Sequence, residues 1–290
     1  MAETLERPGA RVVLHRDAPS RDGLPTAALG SVAFDSAESG AALLEEACAR
    51  LAADGVPRVV GPMDGDTWHS YRLILETDGT PAFTMEPTSG PHDLSAFRAA
   101  GFDVIDTYAS ARARLPDALG PAPAPAAVDI IAWDGQGAQA LFGEIHALTL
   151  EAFADNPFFR PVSRTAFLEM TTPMMPMLQP EMLLLARDAR DGALLGYLLG
   201  LPDFSDPAGT TVILKTYASR RHGIGHHLAH AFHTRVHAAG YTHVIHALMH
   251  DRNTSMARSA AHAGRVFRRY ALMGRRLEHA GDDGERGRAR

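Results

Sequence analysis

The segment Arg220-Arg221-His222-Gly223-Ile224-Gly225-His226-His227-Leu228 lies between an apolar run, Thr211 to Tyr217, and an amphipathic stretch, Gly225 to Ala239. The pattern predicts a strand, a glycine-containing turn and a helix. Glycine lets a backbone approach an anion closely, and the amides in the first turn of a helix have no intrahelical acceptor. Arg220 and Arg221 add positive charge that suits phosphate oxygens. The segment therefore predicts a phosphate-binding loop, although a strand-to-helix turn can also need glycine for steric reasons alone.

Further features follow this loop at regular spacing. Gly240 precedes an apolar run, Val244 to Met249, that predicts a strand, and Asn253-Thr254-Ser255 comes next. Gly264 lies eleven positions after the asparagine. Together with the R-x-x-G-x-G pattern of the loop, these elements resemble the GNAT superfamily of N-acetyltransferases, in which the loop and its helix bind the pyrophosphate of acetyl-CoA. The resemblance covers residues 128–278.

The resemblance implies an α/β (α+β) fold with two GNAT-like domains, each a mixed, mostly antiparallel sheet flanked by helices. It also implies an acyl-CoA-dependent N-acetyltransferase, in which an amine of a small molecule or peptide attacks the thioester directly. A backbone amide of the fourth strand contacts the thioester carbonyl in this family, and no metal is expected. The residues expected to bind acetyl-CoA are Tyr217, Ala218, Arg220, Arg221, His222, Gly223, Ile224, Gly225, His226, Asn253 and Ser255.

The residues that transfer protons are less clear, because the position of the family's usual tyrosine acid is occupied by Ala260. Tyr270 on the predicted last strand is a substitute acid, ahead of His262. Asp203, in a turn, and His246, on the predicted fifth strand, belong to elements that flank the acceptor cleft in this family. Both are candidate bases. Residues of these kinds are more often packed or surface residues than catalytic ones, and proton transfer could also pass through water.

Composition excludes several classes of protein. The chain has 290 residues, 46% of them hydrophobic, which is enough for substantial cores. A formal charge of −6 without a long basic run argues against a nucleic-acid partner. Cys48 is the only cysteine, which suits a reducing compartment. The N-terminus lacks a signal-peptide pattern and no segment is apolar for long enough to span a membrane, so we expect a cytoplasmic protein.

A proline-rich segment, 116–127, predicts a linker between two halves. Leu51 to Gly55 and the following strand parallel Val236 to Gly240 and its strand, which favours tandem copies of one fold over coincidence. The domains expected are a degenerate GNAT-like domain at 1–115, a catalytic domain at 128–278 and a flexible tail at 279–290.

The N-terminal half is expected not to bind CoA. Its first helix is approached through the acidic segment Phe34 to Gly40, which lacks the arginine and glycine pattern. Gly61 to Trp68 either closes over the acceptor site or is a tight turn before a helix predicted at Asp66 to Ile74. Phe102 to Leu115 predicts two short strands.

The histidines at 226, 230, 233 and 237 recur at helical spacing and share one helix face. A solvated face is favoured over a zinc site, because such sites normally add a carboxylate or a cysteine. The aromatic loop Asn156 to Pro161 could receive an apolar acceptor or could be a packed turn.

The partners expected are acetyl-CoA and an amine-bearing acceptor, with the chain acting as a monomer or homodimer. A non-catalytic acyl-CoA sensor is the main alternative, because the usual acid is absent at Ala260. Aminoacyl transfer from tRNA by a tandem fold of this type is disfavoured by the acidic charge balance.

Overall fold

The computed structural model describes residues 2–20 and 22–277, and the tail predicted at 279–290 lies outside them. The N-terminal half contains β1 (Ala2–Arg7), β2 (Ala10–Ala18), β3 (Thr26–Phe34), α1 (Ala37–Ala53), β4 (Arg58–Gly61), β5 (Leu73–Thr77), α2 (Asp93–Ala99) and β6 (Asp103–Arg114). The C-terminal half contains α3 (Leu115–Ala118), β7 (Val128–Ala132), α4 (Ala138–Phe153), α5 (Arg164–Thr171), β8 (Leu183–Asp188), β9 (Leu194–Pro202), β10 (Thr211–Ser219), α6 (Ile224–Ala238), β11 (His243–His250), α7 (Thr254–Ala261) and β12 (Arg265–Arg276).

All the strands belong to one mixed sheet, in the order β1-β2-β3-β4-β12-β6-β11-β10-β9-β8-β7, with β5 on β12. Two neighbouring pairs are parallel, β3 with β4 and β10 with β11, and the other pairs are antiparallel. In each half a helix, α1 or α6, connects the parallel pair. The mixed, mostly antiparallel α/β fold predicted from the sequence is confirmed.

The two halves exchange their last strands. Strand β12 pairs with β4 of the N-terminal half, where Met273 lies opposite Gly61. Strand β6 pairs with β11 of the C-terminal half, where Arg114 lies opposite His243. The exchanged strands also pair with each other at the centre of the sheet. Neither half therefore completes its sheet alone, and the domain boundaries at 116–127 stay a prediction.

Helix α6 packs on the sheet through residues spaced four apart, Leu228, Phe232 and Val236, all of them buried. The Phe232 ring approaches β9 at Gly200, where a Cβ atom would lie 2.2 Å from the ring carbon Cε2. Only glycine lets the helix come this close to the strand. This packing fixes the start of α6 relative to the end of β10.

Two local predictions are wrong. Asp66 to Ile74 forms turns followed by β5 rather than a helix, because Gly65 has a φ of 86° and the Asp66 carboxylate accepts a hydrogen bond from the Trp68 amide at 3.0 Å. Phe102 to Leu115 contains one long strand, β6, instead of two short ones. Within the part of the chain that the structure describes, no helix is long and apolar enough to cross a membrane.

Candidate active site

Strands β10 and β11 separate part-way along the sheet. They are paired in parallel up to Leu214, which lies opposite His246. Beyond this point β10 follows β9, β11 follows β6, and the register of β10 shifts between Leu214 and Thr216. The carboxyl ends of the two strands form an open wedge. A cavity of about 1240 Å³ lies there, above the roughly 300–1,000 Å³ of a typical small-ligand site, so two ligands can fit.

Both halves line this cavity, which we call the cleft. The N-terminal half contributes residues 67–72 and 85–88 together with Tyr108. The C-terminal half contributes 214–222, at the end of β10, and 246–250, at the end of β11. The segment of the N-terminal half that contains Trp68 therefore forms one wall of the cleft.

The predicted phosphate loop lies at the mouth of the wedge. Gly223 has a φ of 90°, a conformation that favours glycine, and the position of its missing Cβ has no atom within 4 Å. At Gly225 a Cβ atom would lie 2.3 Å from Arg258 Nη1 and 3.0 Å from Tyr217 Cε2. Backbone conformation therefore favours glycine at the first position, and at the second a larger residue would displace the end of the Arg258 side chain and press on the Tyr217 ring.

The two arginines of the loop have different surroundings. Arg220 donates to the Glu151 carboxylate at 2.6 and 3.0 Å and to the Leu194 carbonyl at 2.9 Å, which ties the loop to α4 and β9. Arg221 is exposed and has a longer contact, 3.4 Å, with the Asp188 carboxylate. Arg221 is the more available of the two for an anion in the cleft.

The backbone at the end of β10 offers amides to the wedge. The Arg220 amide donates to the Leu195 carbonyl of β9 at 2.9 Å. Because amides alternate between the two sides of a strand, those of Ser219 and Tyr217 face away from β9, toward the wedge. The Ala218 amide faces β9 instead. Of the two residues expected to contact the thioester, only Tyr217 directs its backbone amide toward the wedge. Ala218 contributes only its small side chain.

The structure brings most of the residues predicted to bind acetyl-CoA to the cleft wall. The residues among them that line the cleft are Tyr217, Ala218, Arg220, Arg221, His222, Asn253 and Ser255. The other four lie at the start of α6: Gly223, Ile224, Gly225 and His226. Ile224 is buried in the core, and the His226 ring lies 5.7 Å from the His262 ring.

Tyr270 does not line the cleft. Its side chain is fully buried on β12, where the hydroxyl donates to the Glu86 carboxylate and lies 3.0 Å from Ser110 Oγ. Burial, together with the Glu86 carboxylate, raises the pKa of the Tyr270 hydroxyl above its ordinary value. A buried hydroxyl with a raised pKa is a poor proton donor near neutral pH.

Asp203 also lies away from the cleft. Its carboxylate accepts hydrogen bonds from the Thr84 amide at 2.9 Å, the Thr84 hydroxyl at 3.0 Å and the Ser205 amide at 3.1 Å. These bonds hold the turn after β9 against the N-terminal half. Asp203 therefore connects two segments of the chain and has a structural role.

His246 lines the cleft, but both of its ring nitrogens have partners. Nε2 lies 3.0 Å from His233 Nε2, and Nδ1 lies 2.7 Å from Ser259 Oγ. Burial, with a smaller contribution from His262, lowers the pKa of His246 to about 3. This histidine is neutral at physiological pH and is a weak base there.

The histidine face of α6 is only partly solvated. His237 is exposed, but His233 is fully buried beneath β11, and burial lowers its pKa to about 2. The solvated face predicted from the spacing is therefore wrong at His233, because the sheet covers that side of the helix. Among residues 2–20 and 22–277, no three potential ligands lie together in a way that could hold a metal ion.

Residues of the cleft that the sequence interpretation missed include Arg72, Glu86 and Lys215. Glu86 is buried and forms an ion pair of 2.5 Å with Arg268. Lys215 is half-buried and is the only charged residue in the predicted strand Thr211 to Tyr217, a signal that was available. No sequence signal indicated Arg72, because it reaches the cleft through a turn that the sequence did not predict.

No protein-family model matches the chain, and no curated protein sequence matches it significantly. Solved structures do match. A tandem GNAT protein from the clavulanic acid biosynthesis pathway superposes with a TM-score of 0.56 at 18% identity, over 93% of this chain and 79% of that one. A GCN5-related N-acetyltransferase from Sphaerobacter thermophilus gives 0.57 at 15% identity, over 93% and 77%. One from Anabaena variabilis gives 0.57 at 10% identity, over 93% and 60%.

The chain has a tandem GNAT fold. The likeness extends over both halves, since each match covers 93% of the chain. At identities of 18% and below the likeness establishes the fold, and function has to be argued from the site. Within the GNAT fold of this chain, the open wedge with its glycine loop lies in the C-terminal half.

Proposed function

We propose that the protein is an acyl-CoA-dependent N-acetyltransferase that moves acetyl from acetyl-CoA to an amine. The open wedge between β10 and β11 carries this proposal, because it combines unpaired strand edges with a glycine loop at a helix start. Acetyl-CoA supplies the activated acetyl group. The wedge fits it through Gly223, the exposed Arg221 and the amides at the end of β10.

The residues of the chain would act mainly by positioning. Arg221 and the first amides of α6 receive the diphosphate, and the Tyr217 amide, facing the wedge, polarises the thioester carbonyl. The cleft holds the neutral amine against that carbonyl. The amine forms the new C–N bond as the C–S bond breaks, its proton leaves to water in the cleft, and the thiolate takes a proton from water.

Protein side chains have little part in this proton transfer. Ala260 is exposed and carries no acid, Tyr270 and Asp203 are held outside the cleft wall, and His246 has both ring nitrogens bonded. The same facts favour the second candidate, a sensor that binds acyl-CoA without turnover. Consumption of the thioester with amines distinguishes the two functions.

The proposal places CoA in the C-terminal half, residues 128–278, and assigns the N-terminal half, 1–115, to the acceptor wall. The cofactor is acetyl-CoA without a resident metal, and the acceptor is an amine-bearing small molecule or peptide. A cytoplasmic setting suits both the supply of acetyl-CoA and the free, buried thiol of Cys48.

Charge reversal at the loop tests the proposal against a matched control. Arg221 and Arg190 both form ion pairs with Asp188, at 3.4 and 2.9 Å, but only Arg221 lines the cleft. We expect Arg221→Glu to weaken acetyl-CoA binding at least about tenfold, because it repels the diphosphate, while Arg190→Glu leaves the affinity unchanged. Titration calorimetry measures both. Equal effects of the two variants, or no binding to the wild type, would contradict the proposal.

A further inference from the structure

Arg72 lines the cleft and has few hydrogen-bond partners for its guanidinium. Its side chain is 5% exposed, and its guanidinium lies between two aromatic rings, 3.8 Å from the Tyr71 centroid and 3.9 Å from the Tyr108 centroid. Its Nε and Nη1 atoms are buried without a hydrogen-bond partner. Contact with these two rings, whose planes are 85° apart, holds the guanidinium in place but leaves Nε and Nη1 without a hydrogen bond.

The backbone at Arg72 is also unusual. The residue has a φ of 74°, a conformation that long side chains rarely adopt, and its amide donates to the Pro62 carbonyl at 2.8 Å. Strained residues of this kind are found preferentially at ligand sites. The strain here accompanies a buried arginine on the cleft wall.

A second cation, Lys215, also lines the cleft. It is the extra residue at the register shift of β10, the point from which the wedge opens. Its ammonium group lies 3.4 Å from the Met85 carbonyl, which only partly satisfies it. Burial, and then the charge of Arg72, lower the pKa of Lys215 to about 8. The two cations therefore lie close enough to act on one another.

Nearby carboxylates do not neutralise this pair. Asp106 acts on Arg72 through its charge, but it accepts hydrogen bonds from His250 at 2.8 Å and Arg252 at 3.0 Å. Among the described residues, the cleft is lined by six arginine and lysine side chains and one carboxylate, that of Glu86. Glu86 is already bonded to Arg268 and Tyr270. An anionic ligand would therefore suit the two cations of the inner cleft, Arg72 and Lys215.

The position of these cations separates them from the phosphate loop. Lys215 precedes Arg220 by five residues, which corresponds to about 16 Å along an extended strand. The cations lie at the inner end of the wedge, where β10 and β11 part, and the loop lies at its mouth. In the proposed reaction the diphosphate occupies the loop, so the inner pair faces the acceptor.

We propose that the acceptor is a small amino-carboxylic acid, whose carboxylate is bound by Arg72 and Lys215 while its amine meets the thioester. This inference rests on the proposed function. The guanidinium of Arg72 supplies donors in a fixed planar geometry that suits carboxylate oxygens, and the ammonium of Lys215 adds a point charge. Tyr71 and Tyr108, which hold the guanidinium, also bound the space beside it.

Matched pairs of acceptors test the inference. CoA release from acetyl-CoA is measured with free amino acids and with their amides, for example L-leucine against L-leucinamide and L-phenylalanine against L-phenylalaninamide. The amine of an amide is less basic, so more of it is neutral and nucleophilic at a given pH. A preference for the acid therefore reflects recognition of the carboxylate. We expect kcat/KM at least tenfold higher for the acid of the preferred pair.

Substitution at Lys215 provides the control within the chain. Lys215→Met is expected to raise KM for the acid about tenfold or more and to leave KM for the amide and the Kd of acetyl-CoA unchanged. Lys215→Arg restores the preference for the acid. Arg72→Met is expected to act in the same direction, with thermal unfolding measured in parallel, because loss of the stacked guanidinium also affects packing.

Binding of products covers the case in which no acceptor of the panel reacts. The CoA-saturated protein is titrated with N-acetyl-L-leucine and its amide, and with N-acetyl-L-phenylalanine and its amide. Tighter binding of an acid, lost in Lys215→Met, supports the carboxylate site. Equal affinities within every pair overturn it, and so does tightest binding of N-acetyl-phosphoethanolamine, which assigns the cations to a phosphate. Absence of acetyl-CoA binding contradicts the proposed function instead.

Discussion

The two halves contain the same parallel strand pair, and they differ in what lies between the strands. In the C-terminal half β11 continues to His250 and leaves the wedge beside β10 open. In the N-terminal half β4 ends at Gly61, and the chain then turns back into the wedge beside β3. The Met63 amide donates to the Leu29 carbonyl at 2.8 Å, so this segment takes the place that a ligand could occupy.

The helices that follow the two wedges differ in the same sense. The start of α1 is satisfied from within the chain, because Ser36 and Ser39 form a capping box and Glu38 adds a negative charge. The start of α6 has no side-chain cap and follows Gly223 and the exposed Arg221. The wedge beside β3 is filled by the chain itself, and the wedge beside β10 has the features of an anion site.

The largest expected effect is on the filled wedge. At Gly30 a Cβ atom would lie 2.2 Å from Asp64 Oδ1 and 2.5 Å from the Met63 carbonyl oxygen. We expect Gly30→Ala to reduce the free energy of unfolding by about 3 kcal/mol, because Met63 and Asp64 must move. Urea denaturation measures the loss, and the affinity of the folded fraction for acetyl-CoA should not change.

Gly223→Ala in the open wedge is the matched substitution. No atom lies within 4 Å of the added Cβ, so the cost should be limited to the positive φ of 90°, about 1 kcal/mol. A greater loss of stability for Gly223→Ala than for Gly30→Ala would contradict the assignment of filled and open wedges.

Trp68 tests the contribution of the N-terminal half to the acceptor wall. Its ring packs on Phe159 at 5.6 Å and Phe167 at 5.9 Å, and its Nε1 donates to the Arg160 carbonyl at 2.7 Å. We expect Trp68→Ala to lower kcat/KM for the acceptor about tenfold, because loss of this wall misplaces the amine. The Kd of acetyl-CoA should stay within about twofold. Unchanged turnover would show that Trp68 serves packing alone.

The inner cations should give the acceptor affinity a characteristic pH dependence. Lys215 has a pKa of about 8, and a bound carboxylate raises it, so affinity is greatest below pH 8 and falls as the pH rises through that value. Arg72, whose own pKa burial lowers to about 10, acts on Lys215 through its charge, and Glu86 and Tyr108 line the same cleft.

The measurement is the Kd of the preferred N-acetyl amino acid between pH 7 and pH 9.5, with CoA present. We expect a several-fold loss in the wild type. Lys215→Arg should remove the loss, since arginine keeps its charge throughout this range. An identical loss in Lys215→Arg would assign the titration to another group.

The smallest effect is expected at Tyr270. Its hydroxyl bonds to Glu86, which lines the cleft, and to Ser110, while Tyr270 itself is not part of the lining. Tyr270→Phe should cost about 1–2 kcal/mol of stability, because it leaves the buried Glu86 with one partner fewer. The pH profile of kcat should not change. Loss of its alkaline or acidic limb would restore Tyr270 as the proton donor.

The parts of this site that are built from neighbouring residues can be predicted from the sequence. The strand, glycine loop and helix around Gly223 follow from residues that are adjacent in the chain, and so does the acidic approach to α1. Arg72 and Lys215 are 143 positions apart and line the same cleft only because the sheet joins the two halves. No local pattern carries that information.

The exchange of the last strands could not be predicted from the sequence either, for a different reason. Strands β6 and β12 are alike in composition, since both end in arginines among small or apolar residues, as in Ala111 to Arg114 and Met273 to Arg276. Either strand suits either place in the sheet by its pattern alone, so the sequence does not indicate which half receives which strand.

The number of acetyl-CoA molecules bound per chain tests the contrast between the two wedges most directly. Titration calorimetry on the wild type should give a stoichiometry of one, with binding weakened by Arg221→Glu in the loop before α6. Two sites per chain, or one site unaffected by that substitution, would contradict the account of one open and one filled wedge.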